Sequence, residues 1–492
     1  MIRMTDRYVR FLIAAGAAAA LAGCAVGPDY QRPATPTASA YKEPPPDRTQ
    51  GRWAPAQPGQ LAPAKDWWAV FNDPTLTALT ARVAVSNQNV AAAEAAYRQA
   101  RALVREQRAS LFPTVGLDAG VTRSGSGRGT VVTTPGGGGS GVVTGGGGGA
   151  STNYRGDANV SWEADVWGGI RRSVESAKGA AQASEADLAA ATLSAQAELA
   201  TAYFNLRSAD EQIALLTELV AGFQRSLTIA NNRYQAGVAP HSDLLQAQTQ
   251  LASTRADLKD LERSRAVFEH AIAVLVGETP ESFSLAADPN WRGAVPEIPA
   301  GVPSTLLQRR PDIAAAERRA ASASAQIGVE TSAYFPSFVL TGSYGFATSE
   351  LAQFFDASSN VWSFGLSAAQ TLFNAGATRA RVAGARAAYD QAVAQYRQTV
   401  LAAFQDVEDQ LAGQRSLAEQ YELRRQAAAD GQRAATMVLN QYREGQVAFT
   451  DVVTAQATAL NAQRSAVQAA AARRTTAVAL IAALGGGWTQ PS

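Results

Sequence analysis

The sequence predicts a mixed α/β membrane protein that is an internal tandem duplication, with short strands and very long helices in each half. Three features of the 492 residues lead to this prediction. A turn sequence occurs twice, four short segments alternate between polar and apolar residues, and apolar residues recur every seven positions over long stretches. A chain with these features is expected to be elongated rather than an ordinary compact domain.

The duplication is clearest at two short turns. Residues 234–248 and 442–456 agree in Tyr, Gly, Asp, Ala and Gln at a constant offset of 208 residues. Self-similarity at a fixed offset is typical of tandem structural repeats. We expect the turns at 233–243 and 441–451 each to join two long helices. The predicted segments are a first repeat at 71–287, a linker at 288–300, a second repeat at 301–488 and a tail at 489–492.

Period-two alternation predicts one β-hairpin in each repeat, at 112–167 and at 335–373. Each strand has one apolar and one polar face, and Val115, Leu117 and Val121 form the apolar face of the first strand. A run at 124–150, rich in Gly, Ser, Thr and Val, lies between the two strands of the first hairpin. This composition predicts a long, mobile hairpin loop.

Helices are predicted on both sides of each hairpin. Asp73 and Pro74 form a typical helix start, with a capping carboxylate before a proline, and the helical region continues to about residue 111. Heptad patterns then predict a long helix at 172–232, with a second heptad from 244 to 275. The second repeat has a matching pair at 379–440 and 449–484. A helix over 172–232 would be about 90 Å long.

The N-terminus predicts a lipoprotein signal peptide at 1–23. Three arginines precede a short apolar run that ends in Leu21-Ala22-Gly23-Cys24. Cys24 is the only cysteine, and it stands where a bacterial lipobox has its lipidated residue. We therefore expect a covalent lipid on Cys24, followed by an extended Pro-rich strap at 24–70. An ordinary cleaved signal with an incidental Cys24 is the alternative.

The composition argues against nucleic-acid binding, metal binding and catalysis. The formal net charge is +1, so no basic surface for nucleic acid is indicated. Two histidines and one cysteine form no cluster with metal-ligand spacing, and no cofactor is expected apart from the lipid. No constellation for acid–base or nucleophilic catalysis occurs, so we assign no catalytic residue.

The strands require more than one chain. Four strands cannot close a barrel, and a sheet with open edges cannot lie in lipid. Two chains would supply about eight strands and three chains about twelve. Apolar strand faces would then meet lipid, and polar faces would line a water-filled lumen. Four acids are expected on the lumen side, where wetting of the surface is their simplest role: Asp118, Asp157, Glu163 and Asp165.

Several motifs together resemble the TolC-like outer-membrane factors, in particular the lipoprotein branch of tripartite, RND-type efflux pumps. These motifs are the Trp67-Trp68 and Asp73-Pro74 start, the helix start at 309–313, the Phe-Pro strand entries at 112 and 335, and the two Tyr-x-x-Gly turns. The resemblance covers about residues 27–488. It implies a homotrimer whose twelve-stranded β-barrel, with four strands per chain, continues as a long periplasmic α-helical coiled-coil barrel.

The resemblance also implies a function. Such factors are the outer-membrane exit ducts of tripartite efflux systems. They passively pass small molecules, such as drugs, from an inner-membrane RND-type transporter and a periplasmic adaptor protein to the exterior. A duct for type I protein secretion has the same fold and is the alternative. A structural coiled-coil lipoprotein is a second alternative, which the four amphipathic strands argue against.

The resemblance places a gate at the two turns, which would form the periplasmic tip. It implies roles for Asp243, Asp451 and Tyr442, with a tyrosine–aspartate hydrogen bond that keeps the entrance closed. A ring of carboxylates in a narrow mouth also attracts cations. Thr454 and Val447 depart from the family pattern, because some relatives carry a second Asp and a gating Arg there.

Other links and other roles remain open at the tip. Arg233 or Arg443 are alternative links for the closed state. The turn residues Gly237, Val238, Gly445 and Gln446 are the expected adaptor contact. In the simpler interpretation the aspartates only cap the returning helices, and each glycine only supplies a positive φ at a helix end.

Overall fold

The computed structural model describes residues 25–35, 42–43, 66–125, 150–296 and 309–486. The predicted signal peptide with Cys24, most of the predicted strap and the Gly-rich loop at 126–149 lie outside these residues. The described residues form helices and one β-sheet, and the main elements follow the same order in both halves of the chain.

The first repeat consists of two short helices, two strands and two long helices. In chain order these are α1 (Pro74–Ser86), α2 (Gln88–Ala109), β1 (Thr114–Gly125), β2 (Ala150–Ala164), α3 (Gly169–Gln235) and α4 (His241–Leu275).

The second repeat contains the same strands and the same pair of long helices. Its elements are α5 (Pro311–Ser332), β3 (Ser337–Thr348), β4 (Asn360–Ala369), α6 (Ala377–Arg443) and α7 (Phe449–Ala483). Helices α3 and α6 have 67 residues each, and α4 and α7 have 35 residues each. A helix of this longer kind measures about 100 Å. The equal lengths agree with the predicted duplication.

The helical region before β1 is two helices rather than one. Asn87 separates α1 from α2 with an extended backbone conformation. Its side-chain amide donates to the carbonyl of Leu275, at 2.9 Å, and its side-chain oxygen accepts from the amides of Asn89 and Val90. Asn87 therefore caps α2 and ties it to the end of α4. The surrounding pattern is helical on both sides, so the sequence did not predict this break.

The four strands form one antiparallel sheet in the order β1-β2-β3-β4. The pairing of β2 with β3 joins the hairpins of the two repeats, and it places Gly156 opposite Phe346. Because side chains alternate along each strand, one face carries the apolar residues and the other the polar ones. We call them the apolar face and the polar face.

The apolar face is open to its surroundings. The exposed fraction is 82% for Leu117 of β1 and 74% for Trp362 of β4. Single exposed apolar residues are ordinary, but a continuous apolar face of this kind marks a surface that contacts lipid or protein.

The compact units of the chain do not coincide with its repeats. One unit contains residues 101–179 and 321–391, which include all four strands. The other contains residues 32–100, 180–320 and 392–492, which include most of the long helices. Each unit therefore takes its elements from both halves of the chain.

The core of the helical unit includes heptad residues of α3. Leu199 and Leu206 are fully buried there and pack in one cluster with Trp67, Phe71 and Leu480. The heptad pattern thus identified residues of the core correctly.

A buried carboxylate fixes the segment that follows α4. Asp210 of α3 is almost completely buried and pairs with Arg207 at 2.9 Å and with Arg265 at 2.7 Å. It also accepts from the amide of Asp288, at 3.2 Å. Three charged or polar partners compensate for the burial of this charge. The start of the segment between the repeats is therefore tied to α3.

Candidate functional site: the two interhelical turns

Helices α3 and α6 are each followed by a glycine in the left-handed conformation. Gly237 has a φ of 72° and Gly445 a φ of 77°. In the first turn the amide of Val238 donates to the carbonyl of Arg233 at 3.0 Å, and in the second the amide of Gln446 donates to Gln441 at 2.9 Å. This is the same helix-ending motif twice, and a residue with a Cβ would be strained at either glycine.

The four residues expected to contact an adaptor all lie on the surface. Gly237, Val238, Gly445 and Gln446 are exposed, and Val238 is the large apolar side chain among them. Their backbone role as a helix end and a role in contact with a partner are compatible, because the first uses the main chain and the second the outer surface.

The two aspartates at the starts of the returning helices have different partners. Asp451 accepts from the amide of Ala448 at the N-terminus of α7, at 3.1 Å. The corresponding residue in the first repeat is Pro240, which has no amide N–H to donate. Asp243 therefore cannot make the bond that Asp451 makes.

Asp243 instead accepts a hydrogen bond from the other repeat. The hydroxyl of Tyr442 donates to its Oδ2 at 3.3 Å. This bond links the first turn of α4 to the last turn of α6. Of the three predicted gate residues, the structure brings Tyr442 and Asp243 together, whereas Asp451 is bound to the start of its own helix.

Arg233, at the end of α3, holds the Tyr442 segment from a second side. Its Nη1 donates to the carbonyl of Tyr442 at 2.8 Å and to that of Arg443 at 3.3 Å. Its guanidinium also lies over the Tyr442 ring, 4.7 Å from the centroid. A cation at the C-terminal end of a helix and over an aromatic face is favourable for both reasons. Arg443 contacts Asn440 of its own helix, so of the two arginines expected as links at the turns it is Arg233 that joins the repeats.

The Tyr442 ring is anchored in a small apolar cluster. Only 2% of Tyr442 is exposed, and its ring lies 5.1 Å from that of Phe449. Ala230, Ala247 and Val452 complete the buried part of the cluster. Val447 packs against it, and Thr454 donates to the carbonyl of Thr450 in its own helix. The two positions that depart from the family pattern therefore make an apolar contact and a local helix bond.

The environment keeps the Tyr442 hydroxyl protonated. Burial raises the pKa of the phenol and the negative charge of Asp243 raises it further, whereas the Arg233 charge acts in the opposite direction. A phenol with a raised pKa remains a hydrogen-bond donor throughout the neutral range.

Three of the four predicted lumen acids lie on the polar face of the sheet. Asp118 and Asp157 are directly opposite each other on β1 and β2, and Glu163 lies further along β2. Arg155 donates to both oxygens of Asp157, at 2.6 and 3.3 Å, and the amide of Asn159 donates to Asp118. Since like charges opposite each other destabilise a sheet, these donors compensate for the acidic pair.

The fourth acid, Asp165, lies just beyond the end of β2, so it is not one of the strand residues on this face. It follows the last residue of β2, and its carboxylate accepts from the amides of Ile170 and Arg171, both at 2.9 Å. It also pairs with the Arg171 side chain. Its role is to satisfy free N–H groups at the start of α3. The alternating pattern continues through residue 165 in the sequence, so the end of the strand was not visible there.

A family model described as "Outer membrane efflux protein" matches residues 79–278 and 302–486. The chain belongs to this family. The two matched ranges fall within the two repeats.

Among the described residues, no group of three or more His, Cys, Asp or Glu side chains could hold a metal ion.

Individual members of the efflux family are similar over almost the whole chain. The toluene efflux pump outer membrane protein TtgC of Pseudomonas putida is 30% identical over 475 residues, which cover 95% of this chain and 93% of that protein. The cation efflux system protein CusC of Escherichia coli O157:H7 is 27% identical over 481 residues, with 96% and 98% coverage.

A solved structure agrees with the fold as well. The outer-membrane channel OprN is 32% identical, with a TM-score of 0.84, and the match covers 95% of this chain and all of that one. The chain is thus an outer-membrane efflux protein rather than an enzyme, as the sequence motifs had predicted.

Proposed function

We propose that this efflux protein is the exit duct of a tripartite pump and works as a homotrimer. The sheet has four strands, with β1 and β4 at its edges, and its apolar face is exposed. An open apolar face is stable against lipid, but unpaired edges are not, because their backbone N–H and C=O groups find no partner there; pairing of β4 with β1 of the next copy removes both edges. Three copies give a closed barrel of about twelve strands, within the known range for membrane barrels.

The long helices support the same oligomer. α3 and α6 are long, and many of their residues remain exposed in one chain. Helices of this length gain stability by packing with neighbours, which a ring of coiled coils from several copies would supply. The helices would then form a periplasmic tube below the barrel.

The closed state of this tube is held, in our proposal, by the bond between Tyr442 and Asp243. The observation that carries this idea is that the bond joins the two repeats at the turns, where Arg233 binds the same tyrosine segment. A bond between two helix pairs is broken when the pairs separate, whereas a bond within one helix is not. We call the Tyr442–Asp243 bond the latch. Asp451, which is bound at the start of its own helix α7, is not part of the latch and would only add negative charge to the entrance.

Single-channel recording tests the latch, and the duplication supplies a matched control. Tyr442→Phe removes the donor, and we expect a higher open fraction or conductance in planar bilayers. Tyr234 is the corresponding residue of the first repeat, and it is 38% exposed with its ring 5.1 Å from His241. Tyr234→Phe should behave like the unsubstituted protein. Equal recordings for the two variants would contradict the latch.

The turns are also the proposed docking site for a periplasmic adaptor. Support comes from the exposure of Val238 and Gln446 next to the helix ends. Photo-cross-linkers at these two positions should capture the adaptor in cells. A cross-linker at Leu423, which is exposed on α6 about 30 Å along the helix from the turn, is the control. Capture at 423 but not at 238 and 446 would contradict this docking site.

The cargo is proposed to be small molecules that an inner-membrane RND-type transporter delivers, and passage through the duct would be passive. Support comes from relatives whose names refer to efflux of toluene and of cations. Deletion of the gene, followed by a susceptibility screen with solvents, drugs and metal salts, identifies the chemical class of the cargo. Loss of export of a protein substrate, without any change in susceptibility, would instead favour type I secretion.

A lipid on Cys24 is proposed to anchor the N-terminus in the outer membrane. Its support is the sequence of residues 21–24, which ends in the only cysteine of the chain. Mass spectrometry of the mature N-terminus should find an acylated cysteine. An unmodified N-terminus, or one cleaved elsewhere, would leave the barrel as the membrane attachment.

A further inference from the structure

The turn between β3 and β4 exposes apolar side chains that the proposed duct does not use. Leu351 is 65% exposed and Phe355 is 81% exposed. They lie in the segment 351–355, Leu-Ala-Gln-Phe-Phe, which we call the aromatic turn. An exposed group of large apolar side chains outside a known interface suggests contact with an apolar partner.

The aromatic turn folds over the apolar face of the sheet. The rings of Phe354 and Phe355 lie 5.9 and 5.7 Å from the ring of Phe346. Phe346 is opposite Gly156, and both belong to the apolar face. A Cβ on Gly156 would lie 2.9 Å from the Phe354 ring, so the absence of a side chain there makes room for the turn. The turn therefore continues the surface that the barrel would present to lipid.

Polar contacts hold the turn in this position. The Ser359 hydroxyl donates to the carbonyl of Gln353 at 2.7 Å, and Ser359 is buried. The side-chain amide of Gln353 donates to the carboxylate of Glu350 at 2.8 Å. With the ring contact between Phe354 and Phe355, at 5.0 Å, these bonds order the turn while Leu351 and Phe355 remain exposed.

We propose that the aromatic turn is a lipid-binding surface, with Leu351 and Phe355 inserted among the acyl chains at the rim of the outer leaflet. The segment 349–359 contains two acids and no Lys or Arg, so attraction to lipid phosphates would not supply the binding. Insertion of apolar and aromatic side chains, as in other interfacial elements, is the chemistry that remains. The proposal rests on the position of the sheet in the membrane.

Site-directed spin labelling tests the proposal on the full chain in lipid vesicles. A nitroxide on Phe355→Cys is compared with one on Leu117→Cys, within the apolar face, and with one on Ala357→Cys, which is exposed beyond the aromatic turn. The measurement is collision of the label with oxygen, which dissolves in acyl chains, and with a water-soluble nickel complex. The unsubstituted protein, labelled in parallel, gives any background from Cys24.

We expect the ratio of oxygen to nickel accessibility at 355 to resemble that at 117 and to exceed that at 357 several-fold. A ratio at 355 equal to that at 357 means contact with water and overturns the proposal. Protection of 355 from both reagents means contact with another protein chain and also overturns it. If 117 is in lipid and 355 is not, the aromatic turn fails while the membrane position of the sheet stands. Leu351→Cys provides the same test should Phe355→Cys not assemble.

Discussion

Replacing Pro240 by Ala gives the first turn the same helix start as the second. The new amide N–H would lie where Ala448 donates to Asp451 in the other repeat, at 3.1 Å. Pro240 has a φ of −74° in an extended conformation, which alanine adopts without strain. The substitution therefore offers Asp243 a second partner within its own helix, in competition with Tyr442.

The size of the effect follows from the two competing bonds. The bond from Tyr442 to Asp243 is 3.3 Å long, near the upper limit for a hydrogen bond, so we assign it about 1 kcal/mol. A capping bond contributes about 1 kcal/mol as well. If the two bonds compete equally, the ratio of bonded to broken Tyr442–Asp243 pairs falls about twofold. If the bond is lost completely, the ratio falls about fivefold, since 1.4 kcal/mol is a factor of ten. Three latches that open together would multiply these factors to about tenfold and about a hundredfold.

The assay is the open fraction of single channels in planar bilayers. Pro240→Ala should raise it, Asp243→Asn should raise it further, and the double variant should match Asp243→Asn alone. An unchanged open fraction for Pro240→Ala beside an increase for Asp243→Asn would refute the competition between the two bonds. An additional increase in the double variant would show that Pro240 acts through the stiffness of the turn instead.

Of three further predictions, two concern the tip and one concerns the core. Arg233→Met should raise the open fraction, because it removes two bonds to carbonyls while keeping an unbranched apolar side chain, and Arg233→Lys should have a smaller effect. Conductance should rise as the pH rises through the raised pKa of Tyr442. The Tyr442–Asp243 bond is fully present below the ordinary tyrosine pKa of about 10, and it is lost as the phenol ionises. Tyr442→Phe, which has no phenol, should lack this rise. Asp210→Asn should lower the free energy of unfolding by about 3 to 5 kcal/mol in chemical denaturation, because it removes the buried carboxylate that pairs with Arg207 and leaves Arg265 with Glu269 as its remaining acidic partner. Asp260→Asn, in an exposed pair, should change the free energy of unfolding little.

The sequence predicted the elements well because the periodic patterns are long. The duplication, the strands and the long helices each depend on many residues, so one irregular position does not obscure them. Local exceptions are harder to predict. Asn87 breaks a helical region and Asp165 leaves an alternating strand, in each case because one side chain satisfies main-chain groups at a helix start.

The tip could be predicted only in part. The family resemblance implied gate roles for Tyr442, Asp243 and Asp451, and the repeat alignment paired the two aspartates as equivalent. Their different partners depend on Pro240, which the sequence displays but whose missing N–H matters only once the helix start is located. Arg233 and Arg443 were both possible links; the contact of Arg233 with the Tyr442 segment joins residues 209 positions apart, and no local pattern favours it over Arg443.

The mixing of the two repeats in each compact unit has a consequence for biogenesis. The hairpin of β1 and β2 has no partner until β3 and β4 have followed it across the inner membrane, because β2 pairs with β3. A two-stranded hairpin is at best marginally stable in water, and its free edge invites wrong pairing. The N-terminal half is therefore exposed to wrong strand pairing until β3 and β4 are available to pair with it.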